Sequence, residues 1–149
     1  MVSVRPGRPE DARQIVGFQL RLAMETENLR LDPEVVAKGV AAIFSGKAEG
    51  RYWIAEVDGE VAGCTLTLPE WSDWRNGTVL WIHSVYVRRE FRRRGVFRGI
   101  YEHLRRMVEA DESLRGLRLY VEKGNTPAKR TYRTLGMDGS HYQMYEWLK

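Results

Sequence analysis

The chain has 149 residues, 43% apolar and 30% charged, with 5 Trp, 7 Tyr and 4 Phe, which is about one domain's worth with enough apolar material for its own core, so extended disorder is excluded. A lone cysteine, Cys64, excludes a disulfide framework or multi-thiolate metal site and suits a reducing, cytoplasmic compartment, and no run reaches the roughly 20 apolar residues of a membrane helix or resembles a signal peptide, so a soluble, unexported protein is expected. The net charge of +4 hides an asymmetry: residues 1–74 carry 8 basic and 12 acidic side chains, residues 75–149 carry 16 and 8, and the positive half should meet an anion.

In chain order, the alternation over residues 2–5 predicts a short strand ended by Pro6-Gly7, and Pro9-Glu10-Asp11 opens a helix over 9–26 whose early acids suit the positive end of its dipole. Asp32-Pro33 has the cap-then-proline order of a second helix, which Ser45-Gly46 should stop. Residues 51–57 and 60–68 flank Asp58-Gly59 and predict two antiparallel strands joined by a tight hairpin. A polar, tryptophan-bearing loop over 70–77 leads into 78–87, an apolar run that predicts a central strand buried on both faces. From Gly95 the spacing of Val96, Ile100, Leu104 and Met107 is helical. A strand over 117–122, a helix over 127–135 closed by Gly136, and a last strand over 142–148 complete the order βααβββαβαβ: one α/β domain over 1–149, a mixed sheet flanked by helices.

The run Arg88-Arg89-Glu90-Phe91-Arg92-Arg93-Arg94 therefore lies between a buried strand and the start of a helix, where unpaired N–H groups and the dipole favour an anion. Gly95 removes a side chain that would keep a phosphate from the backbone. The chain has no G-x-x-x-x-G-K-[ST], and Gly95-Val96-Phe97-Arg98-Gly99 is not G-x-G-x-x-G, which argues against a kinase, an ATPase or a dinucleotide enzyme. His103 and His141 lack metal-ligand spacing and there is no G-x-S-x-G elbow, so metal and serine-hydrolase chemistry are set aside.

A central strand followed by Arg92-Arg93-Arg94-Gly95-Val96-Phe97 resembles the acetyl-CoA motif [Q/R]-x-x-G-x-[G/A] of the GCN5-related N-acetyltransferase (GNAT) family. The run from Asn125-Thr126-Pro127-Ala128 through Tyr132 to Leu135-Gly136-Met137 resembles the second family signature, and the order of elements matches over essentially the whole length. Phe97 stands where the family usually has Gly or Ala. The resemblance implies a mostly antiparallel sheet and acetyl transfer from acetyl-CoA to a primary amine, of a small molecule or a protein, by direct attack in a ternary complex without a metal. It implies that Val85, Tyr86 and Val87 pair with the pantetheine arm as an added strand would, and that Arg92 to Arg98 cradle the pyrophosphate. Asn125, with Ala128 beside it, would hold the neighbouring arm, or Asn125 simply caps the following helix. Tyr132 would donate a proton to the departing CoA thiolate, a phenol of pKa about 10 serving a thiol of pKa near 8.5.

No motif fixes the base that frees the attacking amine, of which only about one molecule in 2,500 is neutral at pH 7. His83, two residues before Val85 and so expected on its face, is one candidate, a core histidine being the other reading. Glu25, Glu27, Glu70 and Asp73 are further candidates, and with Trp71 and Trp74 they form the expected acceptor site, since carboxylates and indole faces favour a cationic amine. Two rival readings stay open, a nucleic-acid-binding module using the arginine face and an acyl-CoA sensor without turnover. Under the family reading no nucleic acid or membrane partner is expected, and a homodimer stays open.

Overall fold

The opening alternation forms β1 (Val2–Pro6), and Arg5 on it ties the start of the chain together by donating to both carboxylate oxygens of Asp11 at 2.8 and 3.0 Å and to Glu56 at 2.8 Å. The guanidinium in turn holds the Asp11 carboxyl below the ordinary carboxylate range. This computed structural model describes residues 1–149, as two units, 1–118 and 119–149. After a short 3₁₀ turn at Pro9–Asp11, α1 (Ala12–Glu27) runs to Asn28, which ends it in the left-handed conformation, φ 51°. The expected cap of α2 (Pro33–Phe44) is present, Asp32 accepting from the Glu34 N–H at 2.9 Å ahead of Pro33.

The sheet of the first unit has the order β1, β2 (Arg51–Val57), β3 (Glu60–Ser72), β4 (Gly77–Val87), β5 (Leu114–Arg118). β1 to β4 pair antiparallel in succession and β5 is parallel to β4, so the sheet is mixed and mostly antiparallel, as expected. On one face Ile15 and Phe18 of α1 and Val40 of α2 bury against Tyr52, Ile54, Cys64 and Tyr86, with Phe18 stacked on Tyr86 at 5.1 Å. Burial pushes the Cys64 thiol up to about 12. Strand alternation turns Trp53 to the opposite face, where α3 (Val96–Ala110) buries Val96, Ile100, Tyr101 and Leu104 and sets His103 5.2 Å from the Trp53 ring. No helix is long and apolar enough to cross a membrane.

Two boundaries in this unit differ from expectation. The tryptophan-bearing segment is not a loop: Glu70, Trp71 and Ser72 continue β3 opposite Val79, Thr78 and Gly77, leaving only 73–76 as the hairpin tip. Ladder bonds outweigh the polar composition there. The strand expected over 117–122 starts earlier and ends at Arg118, its start fixed by Asp111, which accepts from the backbone N–H and hydroxyl of Ser113 and whose carbonyl accepts from Leu114, while 119–122 has no strand structure. Pairing of β5 with β4 covers only Thr78 to Trp81, so β4 has no β5 ladder partner from Ile82 onward.

The second unit contains α4 (Thr126–Thr134), closed by Gly136 at φ 87°, with the Met137 N–H bonded to the Tyr132 carbonyl at 3.0 Å. The last strand, expected over 142–148, does not form: the segment has no regular structure, and Tyr142, Met144, Tyr145, Trp147 and Leu148 are exposed. Its aromatic composition favours a strand, but a strand exists only as a member of a ladder, and no ladder includes these residues.

Candidate active site

The expected centre of the site is the end of β4, and there the ladder breaks. Cys64 pairs with Tyr86 and Leu66 with His83, so one residue of β3 faces two of β4, Ser84 and Val85. This is a β-bulge, with Ser84 in the left-handed region at φ 54°. The β3 side accommodates it in two ways. Gly63 lies so close to β4 that a Cβ would stand 2.3 Å from the Tyr86 carbonyl oxygen, and Thr65 donates its hydroxyl to the His83 carbonyl at 2.8 Å, satisfying an acceptor beside the bulge.

The bulge also corrects the face assigned to His83. Residues directly opposite share a face, so His83 lies with Leu66 and Tyr86, toward α1 and α2, and the alternation that would have set it beside Val85 is interrupted. Its half-buried imidazole is held below its ordinary 6.5 by burial, hence neutral at physiological pH and able to accept a proton.

Beyond Val87 the arginine run folds around Phe91, a buried aromatic whose ring lies 5.2 Å from the Arg88 guanidinium and 5.3 Å from that of Arg94. Sequence reasoning passed over Phe91, although one aromatic inside a run of arginines was a legible sign of an anchored loop. Arg88 is structural, donating to the Val61 carbonyl at 2.9 Å and pairing with Glu90. Arg93 (φ 62°) and Gly95 (φ 74°) are both left-handed, and left-handed residues set among right-handed ones are the backbone pattern from which anion-binding concavities are made. The added Cβ of an alanine at Gly95 would meet open space, so the glycine is required by its backbone angle rather than by crowding. In α3 the Gly99 N–H is bonded to the Gly95 carbonyl at 2.9 Å, and the N–H groups of Val96, Phe97 and Arg98 precede it at the helix end. The Phe97 ring lies along the helix, 6.4 Å from Tyr101.

The acceptor candidates separate. Glu25, in the last turns of α1, meets Arg92 at 2.5 Å and Arg89 at 3.8 Å and accepts from the Tyr86 hydroxyl at 3.5 Å. Glu27 is exposed at the end of the same helix. Glu70 is paired with Arg118 at 2.9 Å, bracing β3 against β5. Trp71, Asp73 and Trp74 are exposed at or beside the hairpin tip, and at about 3.3 Å per strand residue that tip is roughly 25 Å from the bulge. The structure does not bring the tryptophans and Asp73 together with Glu25.

In the second unit Asn125 accepts from the Ala128 N–H at 3.2 Å and is the cap of α4. Tyr132 is half-buried on that helix, and burial raises its phenol, which stays protonated as a hydrogen-bond donor. No group of three or more His, Cys, Asp or Glu side chains is placed to hold a metal ion.

A model of the acetyltransferase (GNAT) family matches residues 20–137. The chain is similar to a crystal structure of a possible acetyltransferase from Clostridium difficile 630, at 41% identity and TM-score 0.91, over 100% of this chain and 98% of that one. At 17% identity and TM-score 0.72 it shares the fold of a predicted acetyltransferase from Clostridium acetobutylicum solved with acetyl-CoA, over 100% and 95% of the two chains. At 18% and 0.72 it shares that of glucosamine-6-phosphate N-acetyltransferase from Arabidopsis thaliana, over 100% and 99%. No curated protein sequence matches. With the family model spanning most of the chain, and the bulged strand and arginine loop falling within it, the protein belongs to the GNAT family of acyl-CoA-dependent N-acetyltransferases.

Proposed function

We propose that the protein transfers an acetyl group from acetyl-CoA to a primary amine by direct attack in a ternary complex. One observation carries this reading: the edge of β4 left without a β5 partner after Trp81 runs through the bulge directly into the left-handed arginine loop and the start of α3. An amide-rich arm needs a free strand edge, and a diphosphate needs converging N–H donors. These residues offer both in sequence. Acetyl-CoA supplies a thioester whose carbonyl carbon the amine attacks, the C–S bond breaking to release the CoA thiolate.

In this reading Val85, Tyr86 and Val87 hold the pantetheine arm through their backbone, and backbone N–H groups beside the bulge polarise the carbonyl. Arg93 to Arg98 hold the diphosphate through their N–H groups, with Arg92 and Arg94 supporting. His83, neutral by burial, takes the amine proton directly or through a water. The family pattern assigns Tyr132 the return of a proton to the thiolate, and Asn125 and Ala128 contacts to the cofactor. Glu25 and Glu27 are the acids retained near the acceptor. Five arginines of the loop and helix start, Arg88, Arg89, Arg92, Arg94 and Arg98, are already paired with acids, which suits a compact diphosphate better than an extended polyanion.

The test is a thermal-shift titration with acetyl-CoA, CoA and ATP, followed by CoA thiol release with a panel of amines. Ligand at a hundredfold its Kd stabilises the fold by about 2.7 kcal/mol, so both CoA species should raise the melting temperature and ATP should not. Failure of both to raise it would overturn the reading.

A further inference from the structure

Glu25 joins elements far apart in sequence. Its Oε2 accepts from Arg92 Nη2 at 2.5 Å, and its Oε1 lies 3.5 Å from the Tyr86 hydroxyl and 3.8 Å from Arg89 Nη2. Arg92 is held independently, donating from Nε to the Val87 carbonyl at 2.9 Å and lying over the Tyr86 ring at 5.7 Å. Beside this cluster a cavity of about 380 Å³ is lined by Arg21, Glu25, Tyr86, Arg88, Arg89 and Glu90.

A carboxylate held by two guanidinium groups makes the same kind of charge-assisted contact that a phosphate oxygen makes, with less charge. Arg88 cannot exchange partners as readily, being tied to the Val61 carbonyl as well as to Glu90. The Val87 contact, by contrast, keeps Arg92 in position when its outer nitrogen changes partner. We propose that Glu25 is a positioning residue that stands in for the diphosphate on Arg89 and Arg92, and that the diphosphate of the acyl donor displaces it. This deepens the acyl-CoA reading above and rests on it. The displacement releases the Glu25 carboxylate from Arg92 and Arg89 while it stays beside the Tyr86 hydroxyl.

The exchange makes Glu25 a competitor of the diphosphate, and removing its charge should strengthen donor binding. Calorimetric titration of CoA into the wild type, Glu25→Gln and Glu25→Asp tests this, with pantetheine, which has no diphosphate, measured by competition. Glu25→Gln is expected to tighten CoA about three- to fivefold, the range an exposed ion pair allows, with pantetheine unchanged and Glu25→Asp close to wild type. Unchanged or weaker CoA binding by Glu25→Gln, or equal tightening of CoA and pantetheine, overturns the exchange while the acyl-CoA reading stands. A wild-type chain that binds no CoA removes that reading as well.

Discussion

The two ends of β4 are built on opposite principles. At Gly77 to Leu80 the strand is flanked by an unbroken ladder on β3 and by β5, and the hairpin tip beyond it projects exposed indoles. At Ile82 to Val87 it loses β5, gains a bulge and a left-handed residue, and feeds a loop with two more left-handed residues. A non-glycine residue in that conformation costs of order 1 kcal/mol, so Ser84 and Arg93 store strain at the second end as Asn76 (φ 47°) does at the hairpin tip, and the bulge against β3 and the ended β5 ladder set the second end apart. In the proposed reading ligand binding follows the broken ladder rather than the tryptophans, whose chemistry looked more inviting in the sequence.

Gly63→Val should have the largest effect on this contrast. Its side chain would collide with the Tyr86 carbonyl, and a loss of about 3 kcal/mol or more in urea unfolding is expected, together with loss of CoA binding. A variant as stable as wild type would mean that the bulge yields easily. Next, His83→Gln is expected to lower kcat about a hundredfold, the lower range for a general base. Because burial lowers the His83 pKa, the wild-type kcat/KM should rise with pH through a limb below 6.5 and level off above it, and the variant should lack that limb. The same shift has a sign for stability: below 6.5 the unfolded chain takes up a proton the folded chain resists, so acid weakens the fold there and the contribution is recovered as pH rises. At the small end, Trp74→Ala and Asp73→Asn should leave kcat/KM unchanged and stability within about 0.5 kcal/mol. An acceptor KM raised by either would bring the hairpin tip back into the site and break the comparison.

Much of the fold was legible because its signals are local. Asp58-Gly59 marked the β2–β3 turn, Asp32-Pro33 the start of α2, and the apolar run the central strand, and each lies where the chain needs it. The arginine loop was legible for the same reason, falling between a strand and a helix. Features that depend on a distant partner were not. Nothing at Ser84 announces a left-handed residue, so the face of His83 was read from an alternation that the bulge interrupts. Glu25 finds Arg92 across 67 positions, and no spacing encodes that meeting. Composition at 142–148 favoured a strand, but composition does not provide a ladder.

Cys64 has a practical consequence. It is the chain's one thiol, fully buried, and its pKa of about 12 leaves almost no thiolate at neutral pH. A colorimetric reagent for free thiols will therefore be nearly blind to the folded enzyme while it counts every molecule of CoA set free. Turnover can be followed on the native sequence without masking or mutating a cysteine, and reaction at a stoichiometry of one per chain, in the absence of acyl donor, will time the opening of the core.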